Sequence, residues 1–170
     1  MYVSAWKGLN FKYVNIFERE IIFKFLHGIL TNKLRLFDIK KIASPLCDRC
    51  NVVEDNIHMF SNCKKVDNLV SYFKNVMKMV CDIKSFSMKE LLYLQNKASN
   101  KLQRNTQIVL TSTFIATVWY NRDNINNIDI ANFKMKLLSH FKLLSLIPNL
   151  NMNMYFTEKY CRLPKILFPP

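Results

Sequence analysis

Cys47, Cys50, His58 and Cys63 stand as C-x2-C-x7-H-x4-C inside the run SPLCDRCNVVEDNIHMFSNCKK, Ser44 to Lys65. At C-x2-C spacing a tight knuckle aims two sulfurs at one ion. A histidine and a third cysteine then complete the four soft or borderline donors that tetrahedral Zn²⁺ takes in a structural site, with sulfur at ~2.3 Å and nitrogen at ~2.0 Å. A full set of four protein donors leaves no position for water or substrate. The chemistry expected here is one structural Zn²⁺ per chain, not catalysis.

The intervening residues suit that geometry. Pro45 and the polar pair Asp48-Arg49 fit a turn at the knuckle, and Asp55 is placed to cap a short helix carrying His58 and Cys63 on neighbouring turns. Reduced, buried cysteines beside a surface histidine are the simpler alternative, but four ligand-type residues inside 17 positions at finger-like spacing favour the metal. Cys81 and Cys161 lie outside the pattern and read as core thiols. His27 and His140, each in an amphipathic segment, read as satisfied structural histidines.

Helices must position this site. Val14 to Leu30 repeats Phe17, Ile21 and Phe25 at helical spacing, flanked by Ile22, Leu26 and Ile29, with Glu20 and Lys24 as a supporting i,i+4 pair. Thr31 or Asn32 can cap a second short helix through Leu34, Leu36, Phe37 and Ile39. From about Lys64 to Val80, the series Val66, Leu69, Val70, Phe73, Val76, Met77 and Val80 defines an amphipathic helix. Ser87 and Glu90 form a capping box for a short helix through Leu91, Leu92 and Leu94. Lys97 to Asn105 reads as a polar linker, and Ile108 to Tyr120, apolar nearly all round, as a central helix anchored in the core by Trp119 and Tyr120. Asp129 can cap a last helix with Ile130, Phe133, Leu137, Phe141 and Leu144, ended by Pro148. The closing RLPKILFPP cannot be regular helix. The fold class is all-α, a helical domain with a small inserted zinc knuckle. Residues 1–80 hold the helix pair, the knuckle and the following helix, and residues 81–170 a helical part packed as the same domain.

Composition agrees. A chain of 170 residues, half of them hydrophobic, with 13 Phe, 7 Tyr and 2 Trp, is too apolar for disorder and long enough for one real core. Its two glycines, Gly8 and Gly28, are too few for a phosphate-cradling loop or a dinucleotide fingerprint, so turns fall to residues such as Asn. Five cysteines fit a disulfide framework poorly, and residues 1–13 lack a secretory h-region, so an intracellular, reducing compartment is expected, nuclear or cytoplasmic. The longest uncharged stretch, Asn105 to Asn121, contains Asn, Gln, Ser and Thr and reads as a buried helix, not a membrane span.

The formal charge of +13 favours a polyanionic partner, RNA or DNA. The knuckle is not the source of that charge. Between Cys47 and Cys63 one arginine faces three acids, whereas residues 1–46 hold eight basic against three acidic side chains and residues 64–170 sixteen against six. Phosphate contacts are therefore expected from Lys40, Lys41, Lys64 and Lys65, and from Lys74 and Lys78 on the following helix. No small-molecule substrate is expected, and nothing in the sequence fixes the oligomeric state.

Enzyme readings find little. The adjacent acids Glu54-Asp55 lie inside the knuckle, where no β-hairpin can frame a polymerase carboxylate pair. A nuclease would need Asp67, Asp82 and Lys84 to converge.

The run REIIFKFLHGILTNKLRLFDIKKIASPLCDRCNVVEDNIHMFSNCKKV resembles the zinc-binding domain that follows the reverse transcriptase in non-LTR (LINE-type) retrotransposon polyproteins. The likeness is carried by His27-Gly28-Ile29-Leu30-Thr31, Leu34 and Leu36, Ser44-Pro45-Leu46-Cys47, and His58-Met59-Phe60-Ser61-Asn62-Cys63, over about residues 16–66. VWYNRDN, Val118 to Asn124, is similar to a downstream Trp-x-x-Arg-Asn element, with Asp123 interrupting the Arg-Asn pair. The resemblance implies the same four zinc ligands and a non-catalytic, nucleic-acid-associated accessory role. A zinc-stapled interaction module, or an inactive element remnant without nucleic-acid binding, would present the same sequence features.

Overall fold

Apolar residues at helical spacing, punctuated by side-chain caps, produce a bundle organised around one central helix. The computed structural model describes residues 14–81, 83, 85–95, 101–123 and 128–145. These residues form α1 (Ile16–Leu26), α2 (Lys33–Asp38), a π-helical turn (His58–Asn62), α3 (Asp67–Cys81), α4 (Met88–Leu92), α5 (Lys101–Asn121) and α6 (Ile130–Ser145). The fold is all-α. The β feature among the described residues is an isolated bridge between Leu46 and Val53 in the knuckle.

α5 is the axis, and α1, α3, α4 and α6 all pack on it. Phe114 of α5 stacks on Phe73 of α3 with ring centroids 4.4 Å apart, and Phe133 of α6 meets both edge-on at 6.2 and 6.4 Å. All three rings are fully buried. Ringed by neighbours, α5 buries hydroxyl residues as well, and two of these donate back to the helix: Ser112 Oγ to the Ile108 carbonyl at 2.6 Å and Thr117 Oγ1 to that of Thr113 at 2.7 Å.

The caps follow the sequence closely. Asn15 accepts from Glu18 N–H at the start of α1, Asn32 from Arg35 N–H at α2, and Asp129 from Asn132 N–H at α6. Ser87 and Glu90 form the capping box of α4. The ends of α1, α2 and α4 share one solution. Gly28, Lys40 and Leu94 each adopt positive φ, and in each case that residue's own N–H and the next one close a Schellman motif, as with Gly28 N–H to the Phe25 carbonyl and Ile29 N–H to that of Lys24. Two of these three positions lack the glycine that favours this conformation.

Four expectations need correction. The α1 face is rotated, with Phe17 64% exposed while Glu18 is buried. Glu18 accepts a hydrogen bond from Thr113 Oγ1 at 3.0 Å and lies 3.4 Å from His140 Nδ1, which supplies a reason for a carboxylate in the core. Residues 101–105 belong to α5 and not to a linker, because Gln103, Asn105, Thr106 and Gln107 are buried, with Gln107 Nε2 donating to the Gln95 carbonyl at 3.0 Å. Tyr120 is 53% exposed and is no core anchor, while Trp119 is half-buried against the core. α3 starts at Asp67, leaving Lys64 and Lys65 in the turn before it. The readings placed on Cys161, Pro148 and the RLPKILFPP tail lie outside the described residues. No helix of the described residues is long and apolar enough to cross a membrane.

Candidate metal centre

The segment from Pro45 to Glu54 doubles back on itself. Cys47 N–H donates to the Val52 carbonyl at 2.8 Å, Asn51 N–H to that of Cys47 at 2.9 Å and Glu54 N–H to that of Pro45 at 2.9 Å. The reversal needs a left-handed residue after Cys50, and Asn51, at φ 55°, supplies it; asparagine is among the residues that tolerate this region best.

The second pair of donors comes from a different device. Asp55 caps the helical turn as expected, its Oδ1 accepting from His58 N–H at 2.6 Å. The turn then widens into a π-helix, and Cys63 N–H reaches the His58 carbonyl at 2.8 Å. In an α-helix, residues five apart point about 140° away from each other. The i→i−5 turn returns Cys63 to the His58 side, a local distortion that often marks a functional site.

The four donors converge. One ligand atom from each of Cys47, Cys50, His58 and Cys63 lies within 4.8 Å of the other three, close enough to hold one metal ion. Cys63 Sγ is 3.7 Å from Cys47 Sγ and 3.8 Å from Cys50 Sγ, and all three thiols are free. Cys47, His58 and Cys63 are buried. His58 Nε2 is buried with no hydrogen-bond partner among the described residues, an orphaned acceptor or donor that a metal bond would satisfy.

Backbone amides surround the sulfurs. Burial pushes the Cys47 thiol up, but amide hydrogen bonds from Arg49 and Cys50, with His58 and Cys63 beside it, outweigh burial and bring it down to about 7. Burial dominates at Cys63 and pushes it up to about 12, despite an amide hydrogen bond from Lys65. Lys64 N–H donates to Cys50 Sγ at 3.4 Å. Such N–H···S contacts stabilise thiolates and fix their direction.

Polar ties fasten the knuckle to α2 and α1. Leu34 N–H donates to the Glu54 carbonyl at 3.1 Å, Lys33 Nζ contacts Asp48 at 2.5 Å, and Asn32 Nδ2 donates to Asn56 Oδ1 at 2.6 Å. No residue of α2 is buried, so these ties, more than apolar packing, hold it.

Of the six lysines expected to meet phosphate, Lys40, Lys41, Lys64 and Lys78 are exposed and Lys65 and Lys74 half-buried. Lys65 lines a cavity of about 710 Å³ beside the metal centre, together with Lys33, Arg49 and Arg122, three cations that sequence reasoning passed over. Their signal was weak: Arg49 lay within an acidic run and Arg122 more than fifty positions away. Asp67 sits exposed in the first turn of α3, and Asp82 and Lys84 lie outside the described residues. His140 is the satisfied core histidine expected, and His27 is exposed at the C-cap of α1, its ring 4.2 Å from that of Phe23. No family model, curated protein or solved structure matches the chain.

Proposed function

We propose that the protein is a non-catalytic, zinc-stapled accessory domain that associates with nucleic acid, in the manner of the zinc-binding domains it resembles downstream of LINE-type reverse transcriptases. The observation that carries the metal is the sulfur geometry. A tetrahedron with Zn–S bonds of ~2.3 Å has edges of ~3.8 Å, against separations of 3.7 and 3.8 Å here. Three cysteines and one histidine also form the donor set that selects Zn²⁺ over harder cations.

The zinc supplies folding energy and no reaction step. Cys47 and Cys50 hold it from the knuckle, His58 and Cys63 from the π-turn, and together they fasten an acidic loop to the start of α3. The amides that bind Cys50 and Cys63 belong to Lys64 and Lys65, so the ligand shell sets the backbone from which those two lysines project. That link, with a net charge of +13, supports the nucleic-acid role.

Binding to single-stranded RNA or DNA should be measurable at ~50 mM salt and fall steeply with added salt. Absence of binding at that salt would reduce the domain to a structural staple with no nucleic-acid role. RNA and DNA competitors of equal length, added in the same titration, decide which strand is preferred.

A further inference from the structure

The cavity beside the metal centre lies among α2, the knuckle, the turn after Cys63 and the C-terminal end of α5. Its volume of about 710 Å³ falls within the usual range of ligand sites, ~300–1,000 Å³. Four cations and three acids line it, but their engagements differ. Asp48 is taken up by Lys33 at 2.5 Å. Glu54 Oε1 accepts the Lys33 N–H at 3.3 Å. Asp123, with its side chain 92% exposed, reaches Arg122 Nε only at 3.6 Å, a surface pair of little strength.

That leaves two cations without an ion pair and a third, Arg122, only weakly paired. Neither Arg49 nor Lys65 ion-pairs with a carboxylate among the described residues. Arg122 is held in place, its guanidinium 3.7 Å from the centroid of the Trp119 ring, yet its Nη1 is buried with no hydrogen-bond partner among the described residues. A guanidinium stacked on a ring, with one buried donor unspent, is a preorganised oxyanion contact. Val66, Val118 and Ile128 add an apolar wall, which suits a sugar and base and would be wasted on a bare ion.

We infer that this cavity seats one nucleotide of a nucleic-acid strand, its phosphate on Arg49, Lys65 and Arg122 and its sugar and base against the apolar wall. The inference rests on the nucleic-acid reading above and names its contact point. Of the six lysines expected from the sequence it keeps Lys65 and moves the phosphate grip away from Lys40, Lys41, Lys64, Lys74 and Lys78. It also ties that grip to the metal, because Arg49 and Lys65 lie next to or two residues from the ligands Cys50 and Cys63 and give their amides to the sulfurs.

The test uses the full chain loaded with zinc and three probes: inorganic phosphate, adenosine monophosphate and a ten-nucleotide single strand. Arg122→Gln and Lys65→Gln are compared with Lys89→Gln, an exposed lysine on α4 away from the cavity, each first checked for zinc content and melting temperature. Expected are mononucleotide binding that exceeds phosphate binding, a loss of tenfold or more in mononucleotide and strand affinity for Arg122→Gln and Lys65→Gln, and less than threefold for Lys89→Gln. If the strand binds with a salt dependence and the three variants weaken it equally, the cavity is not the contact and the broader reading stands. If the mononucleotide binds and loses affinity as stated while no strand binds, the cavity site stands and the nucleic-acid reading falls. Should none of the probes bind, both fall. Were Arg122→Gln to fail the zinc and melting checks, Lys65→Gln decides by itself.

Discussion

The cysteine knuckle and the helical core solve the same problem with opposite means. Around Phe73, Phe114 and Phe133 the chain buries apolar surface on every side of α5, and order follows from the hydrophobic effect. Between Ser44 and Glu54 there is little to bury: Leu46, Val52 and Val53 are 37–48% exposed, and backbone and polar ties hold the loop, with a metal on the four donors expected to add the rest, whereas Met59 and Phe60 of the π-turn already belong to the core. The core should therefore survive losses that erase the knuckle, and the knuckle should survive buffers that leave its thiolates intact.

The largest difference should appear on removing a ligand. On the proposed zinc ligation, whose binding free energy is ~10–16 kcal/mol in small zinc modules and is spent as folding energy, Cys47→Ser should lose the metal and unfold residues 44–56. Hydrogen exchange should show protection lost there and retained in α5. Equal loss in both regions would mean that the two are one cooperative unit. In the core, Phe114→Ala should cost ~3–5 kcal/mol, lower the melting temperature and leave the zinc stoichiometry unchanged.

Acid should separate the regions next. Zinc requires thiolates, and Cys63, pushed up to about 12, carries a proton that binding must expel. Uptake therefore releases protons, and affinity falls as pH falls, by about tenfold per pH unit for each proton displaced. Below about 7 Cys47 is protonated as well, and the slope should steepen. Zinc competition assays from pH 6 to 8.5 read this directly, and a flat profile would contradict thiolate ligation. The smallest effect belongs to a helix end. Lys40 holds φ 56° without being glycine, so Lys40→Gly should raise stability by about 1 kcal/mol; denaturant midpoints would detect it.

Much of this was legible in the sequence because it is local. The convergence of Cys47, Cys50, His58 and Cys63, the Asp55 cap, the Ser87–Glu90 box and the α3 face each depend on residues within a few turns of one another. What escaped was set by distant partners or by backbone. Phe17 reads as core, yet the face that is buried holds Glu18, to whose carboxylate Thr113, 95 residues along, supplies a donor. The polar run before Ile108 reads as a linker until its amides and hydroxyls are seen to be buried. No composition signals a π-turn, yet it is what returns Cys63 to the side of His58. Arg49, Lys65 and Arg122 meet only once the knuckle has closed on the end of α5.

Metal content decides most. Protein purified under reducing conditions, without added metal, should contain one zinc per chain, and X-ray absorption should show three sulfurs at ~2.3 Å and one nitrogen at ~2.0 Å. Cys50→Ser should contain none. A folded, fully reduced chain free of metal, with a melting temperature unmoved by zinc or by Cys50→Ser, would contradict the metal centre.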